Sequence, residues 1–282
     1  MILIADSGST TTDWVFVNHG EFTRFKSPGF NPYYYKNEDY LNLLNDKSLA
    51  GISFSKVEEI FFYGSGCSSA ENCVIVKSAL WEMFPNAKIH LHHDLYGAAL
   101  ALCGKQAGIA CILGTGSNSC LWSGNEITEN VPSLGYLLAD EGSGTYLGKI
   151  ILTEILLGNA PEEISDAFYE SYDLSFATTL DKIYKQGNPN KFMSQLSVFA
   201  NDNIDNEWIL SMIRKNFEDF LEAQIMKYSN YENHKINFVG SVSYHFKEIL
   251  LEVLKNRSLT AGKIIKSPIE ELVRLHIKQV KQ

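Results

Sequence analysis

Near the start of the chain, Asp6-Ser7-Gly8-Ser9-Thr10-Thr11-Thr12 separates one apolar run, Ile2 to Ala5, from a second, Trp14-Val15-Phe16-Val17. Two apolar segments rich in β-branched residues and joined by small residues read as strand, tight turn, strand, the first strand stopping at Asp6. The turn combines a glycine that permits close backbone approach, hydroxyl donors, exposed backbone N–H groups and a carboxylate at a strand end. Those groups suit a phosphate and a hydrated Mg²⁺ ion. Taken alone, the stretch is more simply an ordinary hairpin turn.

A second stretch repeats the first. Ile4-Ala5-Asp6-Ser7-Gly8-Ser9 resembles Ile112-Leu113-Gly114-Thr115-Gly116-Ser117 at constant spacing, and each is followed by a strand and a Gly/Asn turn. A duplication at this scale implies two like domains, each offering a glycine-bearing strand-turn-strand. Further along, Lys235 to Val239 forms a strand that runs into Gly240-Ser241, and such a junction presents free N–H groups to an anion or a nucleotide. His90 and His92 alternate onto one strand face, but no third ligand follows at metal-binding spacing, so a polar strand edge is the simpler account.

The elements that position these residues alternate between strand and helix, as in an α/β domain. The opening hairpin turns at Asn18-His19-Gly20 and continues into a third strand, Glu21 to Lys26, broken by Ser27-Pro28-Gly29-Phe30-Asn31-Pro32. A helix is expected at Asn37 to Asn45 and a strand at Glu58 to Tyr63, ending in Gly64-Ser65-Gly66. A helix from Ala70 to Phe84, a strand from Lys88 to His93 and a small-residue helix opening at Asp94 follow. Ser143 caps an apolar helix running to about Leu157, with Asp140 and Glu141 placed as acidic residues just ahead of its N-terminus. The region from Pro161, expected at a first helical position, to Ser229 is helical, with a long amphipathic helix over Glu207 to Tyr228. A helix over Tyr244 to Leu254, a strand at Lys263 to Ile265 and a closing helix at Ile269 to Val280 complete the chain.

The 282 residues are enough for two domains, and the 45% hydrophobic content is enough for real cores. A net charge of -9 argues against nucleic acid or an anionic membrane as partner. Without a basic-led signal peptide or an apolar run that spans a bilayer, the expected compartment is the cytoplasm. The five cysteines form no CxxC pair and read as reduced core thiols, which argues against zinc or iron–sulfur. Tyr33-Tyr34-Tyr35 suits a homodimer face, a lid or cleft packing.

The order of these pieces resembles the sugar-kinase, Hsp70 and actin-like ATPase superfamily. An Asp-x-Gly-x-Thr turn after strand one, an Asp at a strand end at position 94, Gly114-Thr115-Gly116-Ser117-Asn118, Asp140-Glu141-Gly142-Ser143 and a late Val239-Gly240-Ser241 carry the likeness over essentially the whole length. Within the superfamily the chain is similar to the N-acetylglucosamine kinase branch, also called the BadF/BadG/BcrA/BcrD ATPase family. The resemblance implies an α/β fold of two ribonuclease-H-like (actin-like ATPase) domains around a central cleft. They would comprise residues 1–108, joined by the C-terminal helix from about 268, and a larger domain over 109–267 with a helical insertion. It further implies ATP held by Asp6, Gly8, Ser9, Thr10 and Thr11 in a first phosphate loop and by Gly114, Thr115 and Gly116 in a second. Gly240 and Ser241 would lie at the adenosine side, and Mg²⁺ near Asp6, bound through water. Asp94 matches the catalytic Asp that takes a proton from the acceptor hydroxyl, and Asn31, Gly66, Asp94, Ser117, Asn118, Gly135 and Asp140 match positions that hold the sugar.

The chain departs from the family's pattern at three points. Relatives commonly place Lys or Arg where this chain has Thr11, a Trp where it has Leu134, and a Gly where it has Ala139. The expected activity is ATP-dependent phosphorylation of an amino sugar, N-acetylglucosamine or a relative. An ATPase that activates a partner enzyme, and a sugar sensor without catalysis, stand as alternatives.

Overall fold

The structure of the protein, a computed structural model, describes residues 1–8, 10–32, 54–67, 69–185 and 187–280. Ser9, the helix expected at 37–45 and the three tyrosines at 33–35 lie outside the described residues. The chain divides into two compact units, Met1–Lys105 together with Ser267–Gln282, and Gln106–Lys266.

In the first unit β1 (Ile2–Ser7), β2 (Thr11–Asn18), β3 (Glu21–Pro28), β4 (Glu59–Gly64) and β5 (Lys88–His93) form one sheet in the order β3-β2-β1-β4-β5. β1 pairs antiparallel with β2 and parallel with β4, which places it at the centre and buries both its faces. Leu3 and Ala5 face a core with Trp14, Phe16, Phe30 and Phe62, covered by Val76, Ala79 and Leu80 of α1 (Ala70–Met83). Ile2 and Ile4 face the opposite core with Val15 and Val17, covered by Ala101 of α2 (Asp94–Cys103) and by Ile269, Leu272 and Val273 of the C-terminal helix, Ile269–Val280. Gly97 of α2 lies so close to β4 that a Cβ there would sit 2.7 Å from the Tyr63 ring. The small residues of this helix thus serve close approach to the sheet.

The second unit repeats the topology. β6 (Gly108–Leu113), β7 (Ser117–Trp122), β8 (Ile127–Glu129), β9 (Ile236–Val239) and β10 (Ala261–Ile265) run β10-β9-β6-β7-β8, so β6 takes the place of β1 between an antiparallel and a parallel neighbour. The described helices of this unit are α3 (Gly144–Leu156), α4 (Glu162–Tyr172), α5 (Phe176–Tyr184), α6 (Pro189–Asp202), α7 (Glu207–Ala223), α8 (Ser241–His245) and α9 (Lys247–Asn256); the C-terminal helix of the first unit is α10. Leu147, Ile151 and Ile155 of α3, Leu196 of α6, and Phe217 and Phe220 of α7 join the sheet in one core.

Several expected boundaries move. β1 does not stop at Asp6 but carries it inside the strand, paired with Asp13. The spacing of the repeat is not kept across the turns, because Ser7 and Thr12 close the first over four residues while Leu113 and Ser117 close the second over three. Pro161 precedes its helix as the N-cap, and β8 is a strand that sequence periodicity did not signal. The long helix expected to reach Tyr228 ends at Ala223, since the chain turns at Gln224 and both Gln224 Oε1 and the Tyr228 hydroxyl reach Ser119 Oγ, at 2.9 and 2.7 Å. The helix expected over 244–254 is two helices parted at the buried Phe246. Among the described residues no helix is long and apolar enough to cross a membrane.

Candidate active site

In the first unit the site begins where β1 meets its turn. Gly8 N–H donates to Thr11 O at 3.0 Å and closes the turn. Ser7 Oγ accepts from Phe30 N–H and lies 2.8 Å from Thr12 Oγ1, which donates to Pro28 O at 3.1 Å. These two buried hydroxyls are therefore engaged in tying the turn to the Ser27-to-Phe30 breaker, while Thr10 and Thr11 stay exposed. Asn31 lies in the same breaker and is buried, as Phe30 is.

Asp94 is the first residue of α2 and Asp6 the penultimate residue of β1. Burial, followed by the charges of Asp94 and Asp13, pushes the Asp6 carboxyl up to about 8. Burial also raises Asp94, against hydrogen bonds from Leu95 N–H at 2.8 Å, from Ser65 and from its own N–H. Ser65 N–H in turn donates to Ser7 O at 2.7 Å, so the ends of β1 and β4 and the start of α2 form one hydrogen-bonded group. The helix cap itself is His93, whose Nδ1 accepts from Tyr96 N–H at 3.2 Å. Gly66 stands apart from this group, in a left-handed turn whose carbonyl accepts from Asn72 Nδ2.

In the second unit the Gly114-Thr115-Gly116 turn is seated on the start of α3. Gly144 N–H donates to Gly114 O at 2.8 Å, and the Thr145 hydroxyl to Thr115 O at 2.7 Å. A cavity of about 200 Å³ opens beside Gly114 and Thr115, walled by Gly144, by Ser194, Gln195 and Val198 of α6, and by Ser241 at the start of α8. Gly240, at φ 129°, packs so closely that a Cβ would run into the Leu113 carbonyl. Asp140 does not cap α3, which takes its cap from Ser143 Oγ. It adopts a left-handed backbone and turns its carboxylate to Gly116 and the Ser117 N–H, and burial raises its pKa. Asn118 Oδ1 accepts from Ser119 N–H and from Asn130 Nδ2. Gly135, with positive φ, closes a turn of its own onto Leu138 and Ala139.

The structure thus brings Asp6, Gly8, Thr10, Thr11 and Asp94 to one end of the first sheet. It brings Gly114, Thr115 and Ser241 to one cavity, and Gly116, Ser117 and Asp140 to one another, in the second unit. No protein-family model matches the chain, and no curated protein does. Among solved structures, a candidate N-acetylglucosamine kinase from Porphyromonas gingivalis is 39% identical, with 99% of this chain and 100% of that one covered and a TM-score of 0.93. The chain belongs to the N-acetylglucosamine kinase family. Two more distant structures share the fold. They are a candidate N-acetylglucosamine kinase from Chromobacterium violaceum (16% identical, 97% and 98% covered, TM-score 0.73) and MreB 5 of Spiroplasma citri bound to AMPPNP (12% identical, 99% and 96% covered, TM-score 0.62). The fold of this kinase-family chain is the α/β actin-like ATPase fold.

Sequence reasoning did not single out four residues that border this candidate site. Ser65 and His93 were passed over because a serine in a Gly-Ser-Gly turn and a histidine at a strand end carry no distinctive spacing. Ser194 and Gln195 come from α6, a helix with no phosphate-loop signature. Only packing against α3, where Gly148 meets the Met193 backbone, brings α6 to the cavity.

Proposed function

We propose that the chain transfers the γ-phosphoryl group of ATP to a hydroxyl of N-acetylglucosamine or a closely related amino sugar. By its family the chain is an ATP-dependent sugar kinase. The observation that carries the amino-sugar assignment is the full-length 39% identity to the candidate N-acetylglucosamine kinase.

Phosphoryl transfer asks a protein chiefly to position the reactants and to neutralise charge. Asp94 is the base in this scheme. Desolvation raises its proton affinity, and the hydrogen bonds from Leu95 and Ser65 hold the carboxylate in one orientation toward the acceptor hydroxyl. The Gly8-to-Thr11 turn and the Gly114-to-Gly116 turn offer backbone N–H groups and hydroxyls to phosphoryl oxygens, and the cavity at Thr115, Gln195 and Ser241 takes the nucleoside. Asn31, Gly66, Ser117, Asn118, Gly135 and Asp140 are assigned to the sugar, Asp140 by bracing Gly116 and Ser117.

Asp6 fits a Mg²⁺ ion, because a carboxyl pushed up to about 8 by burial and by two neighbouring carboxylates lacks the positive charge that a dication brings. Among the described residues no group of three or more His, Cys, Asp or Glu side chains is arranged to hold a metal, so Asp6 would share the ion with water and nucleotide oxygens. When bound, Mg²⁺ neutralises charge on the phosphoryl group.

The test is incubation with Mg-ATP and a panel of hexosamines and hexoses, following both ADP and sugar phosphate. N-acetylglucosamine phosphate formed by the wild type and lost in Asp94→Asn, with sugar binding retained, supports the assignment. A better hexose substrate in the same panel overturns the amino sugar, and ADP without any sugar phosphate overturns the acceptor class.

A further inference from the structure

One face of the first sheet carries a row of polar side chains that the proposed mechanism uses only in part. Strand register sets Lys26, Asp13, Asp6, Tyr63 and His92 directly opposite one another across β3, β2, β1, β4 and β5. Residues paired in this way project to the same face, with Cβ atoms about 5 Å apart from strand to strand. The Lys26 ammonium lies 3.0 Å from Asp13 Oδ1, and Asp13 is next in the row to Asp6.

Thr11 precedes Asp13 by two residues on β2, so it shares that face, and it pairs with Pro28, which makes Lys26 its diagonal neighbour. Diagonal cross-strand neighbours are about 7–8 Å apart, within the reach of a long side chain. Arg24, the next cation along β3 on this face, donates to both carboxylate oxygens of Glu270, at 3.0 and 3.1 Å. Lys26 is three-quarters exposed, and Asp13 has a second partner in Ser267 Oγ at 3.4 Å, so the ammonium can leave Asp13 without stranding it.

We infer that Lys26 supplies, from the neighbouring strand, the positive charge that the first turn lacks at Thr11, and that it binds the phosphoryl oxygens of ATP. The need is electrostatic. Asp6 and Asp13 stand opposite one another just below a turn that must receive a polyanion, with Lys26 next in the row, and a polyanion seated above carboxyl groups is favoured by a cation beside it. An exposed Lys–Asp pair contributes little to folding, which leaves ligand charge as the better account of a lysine in this row. The inference rests on the first turn receiving the nucleotide's phosphates.

The test compares Lys26→Ala, Lys26→Arg, Asp13→Asn and the double variant Lys26→Ala with Thr11→Lys, by steady-state kinetics at varied ATP and by calorimetric titration of Mg-ATP. Lys26→Ala is expected to raise KM and Kd for ATP about tenfold, on the order of a lost charge-assisted hydrogen bond, with little change in melting temperature. Lys26→Arg keeps most of the affinity. Asp13→Asn, which breaks the same ion pair but frees the ammonium, moves KM the opposite way, and Thr11→Lys restores binding to Lys26→Ala. Unchanged ATP affinity in Lys26→Ala overturns the inference, as do equal losses in Lys26→Ala and Asp13→Asn, which would mark a structural ion pair. Because the titration needs no sugar, a wild type that turns over no member of the sugar panel overturns the proposed function while still deciding the role of Lys26.

Discussion

At the first turn Asp6 and Asp13 face each other across β1 and β2, with Lys26 beyond and Asp94 at the adjoining helix start. At the second, Gly114-Thr115-Gly116 carries no ionisable side chain, and its one carboxylate, Asp140, arrives from a distant loop to hold Gly116 and Ser117. The strand order around the two turns is the same. A duplicated hairpin thus carries ionisable side chains at one end and backbone groups and close packing at the other, and in the proposed function the first manages charge and protons while the second presents backbone and shape. Changes at the carboxylates of the first end should appear in kcat and pH dependence and changes at Lys26 in ATP affinity, whereas changes at the second end should appear in ATP affinity and in the stability of its turn.

The largest effect is expected from Asp94→Asn, with kcat lower by about 10³-fold in the sugar-phosphate assay and sugar binding retained. Loss of binding instead would shift Asp94 from the proton to the substrate. Next comes Gly240→Ala, where a left-handed backbone and the Leu113 carbonyl leave no room for Cβ; urea unfolding should show a loss of roughly 2–4 kcal/mol. A null result there would remove the tight junction from the description of the second end.

A smaller, pH-linked effect is expected at His93. Burial lowers its pKa, and its neutral Nδ1 accepts the Tyr96 N–H that caps the helix bearing Asp94. A depressed histidine pKa means that the unfolded chain binds the proton more readily. The stabilisation is therefore present above the unfolded value near 6.5 and is lost as the pH falls below it. Melting curves between pH 5 and 8 should show this loss in the wild type and a flatter profile in His93→Asn, whereas His93→Ala should lose about 1 kcal/mol above pH 7. The smallest change is Gln195→Ala, with KM for ATP raised about threefold and kcat retained. A fall in kcat would show that the second end also takes part in the transfer step.

Much of the candidate site is legible in the sequence because its residues cluster in short stretches. Asp6 to Thr12, Gly114 to Ser117 and Gly240-Ser241 each lie at a strand end, and a strand end followed by small residues is visible as a change of period and composition. Asp94 was legible for the same reason, at the junction of an apolar strand and a small-residue helix. Asp140 was legible as a residue but not in its structural role, since an acid ahead of a helix looks like a cap whether or not it turns away. Ser65, His93 and Gln195 escaped because their partners are Ser7, Tyr96 and a cavity wall, and only the first and last of these are remote in sequence; the His93 cap is local but rare in type.

The sequence by itself determined the duplicated strand-turn-strand, the alternation of strand and helix, the chemistry available at the two turns and the family resemblance. Those properties reside in residue type and short-range spacing. Only the tertiary structure decided that Asp6 lies inside a strand, that Asp140 points to Gly116, that α6 walls the cavity beside Thr115, and that Lys26 stands two strands from Asp6 on one face. Each depends on register or helix packing between segments far apart in the chain, and a one-residue slip in register turns a side chain to the opposite face. Composition therefore carries no trace of it.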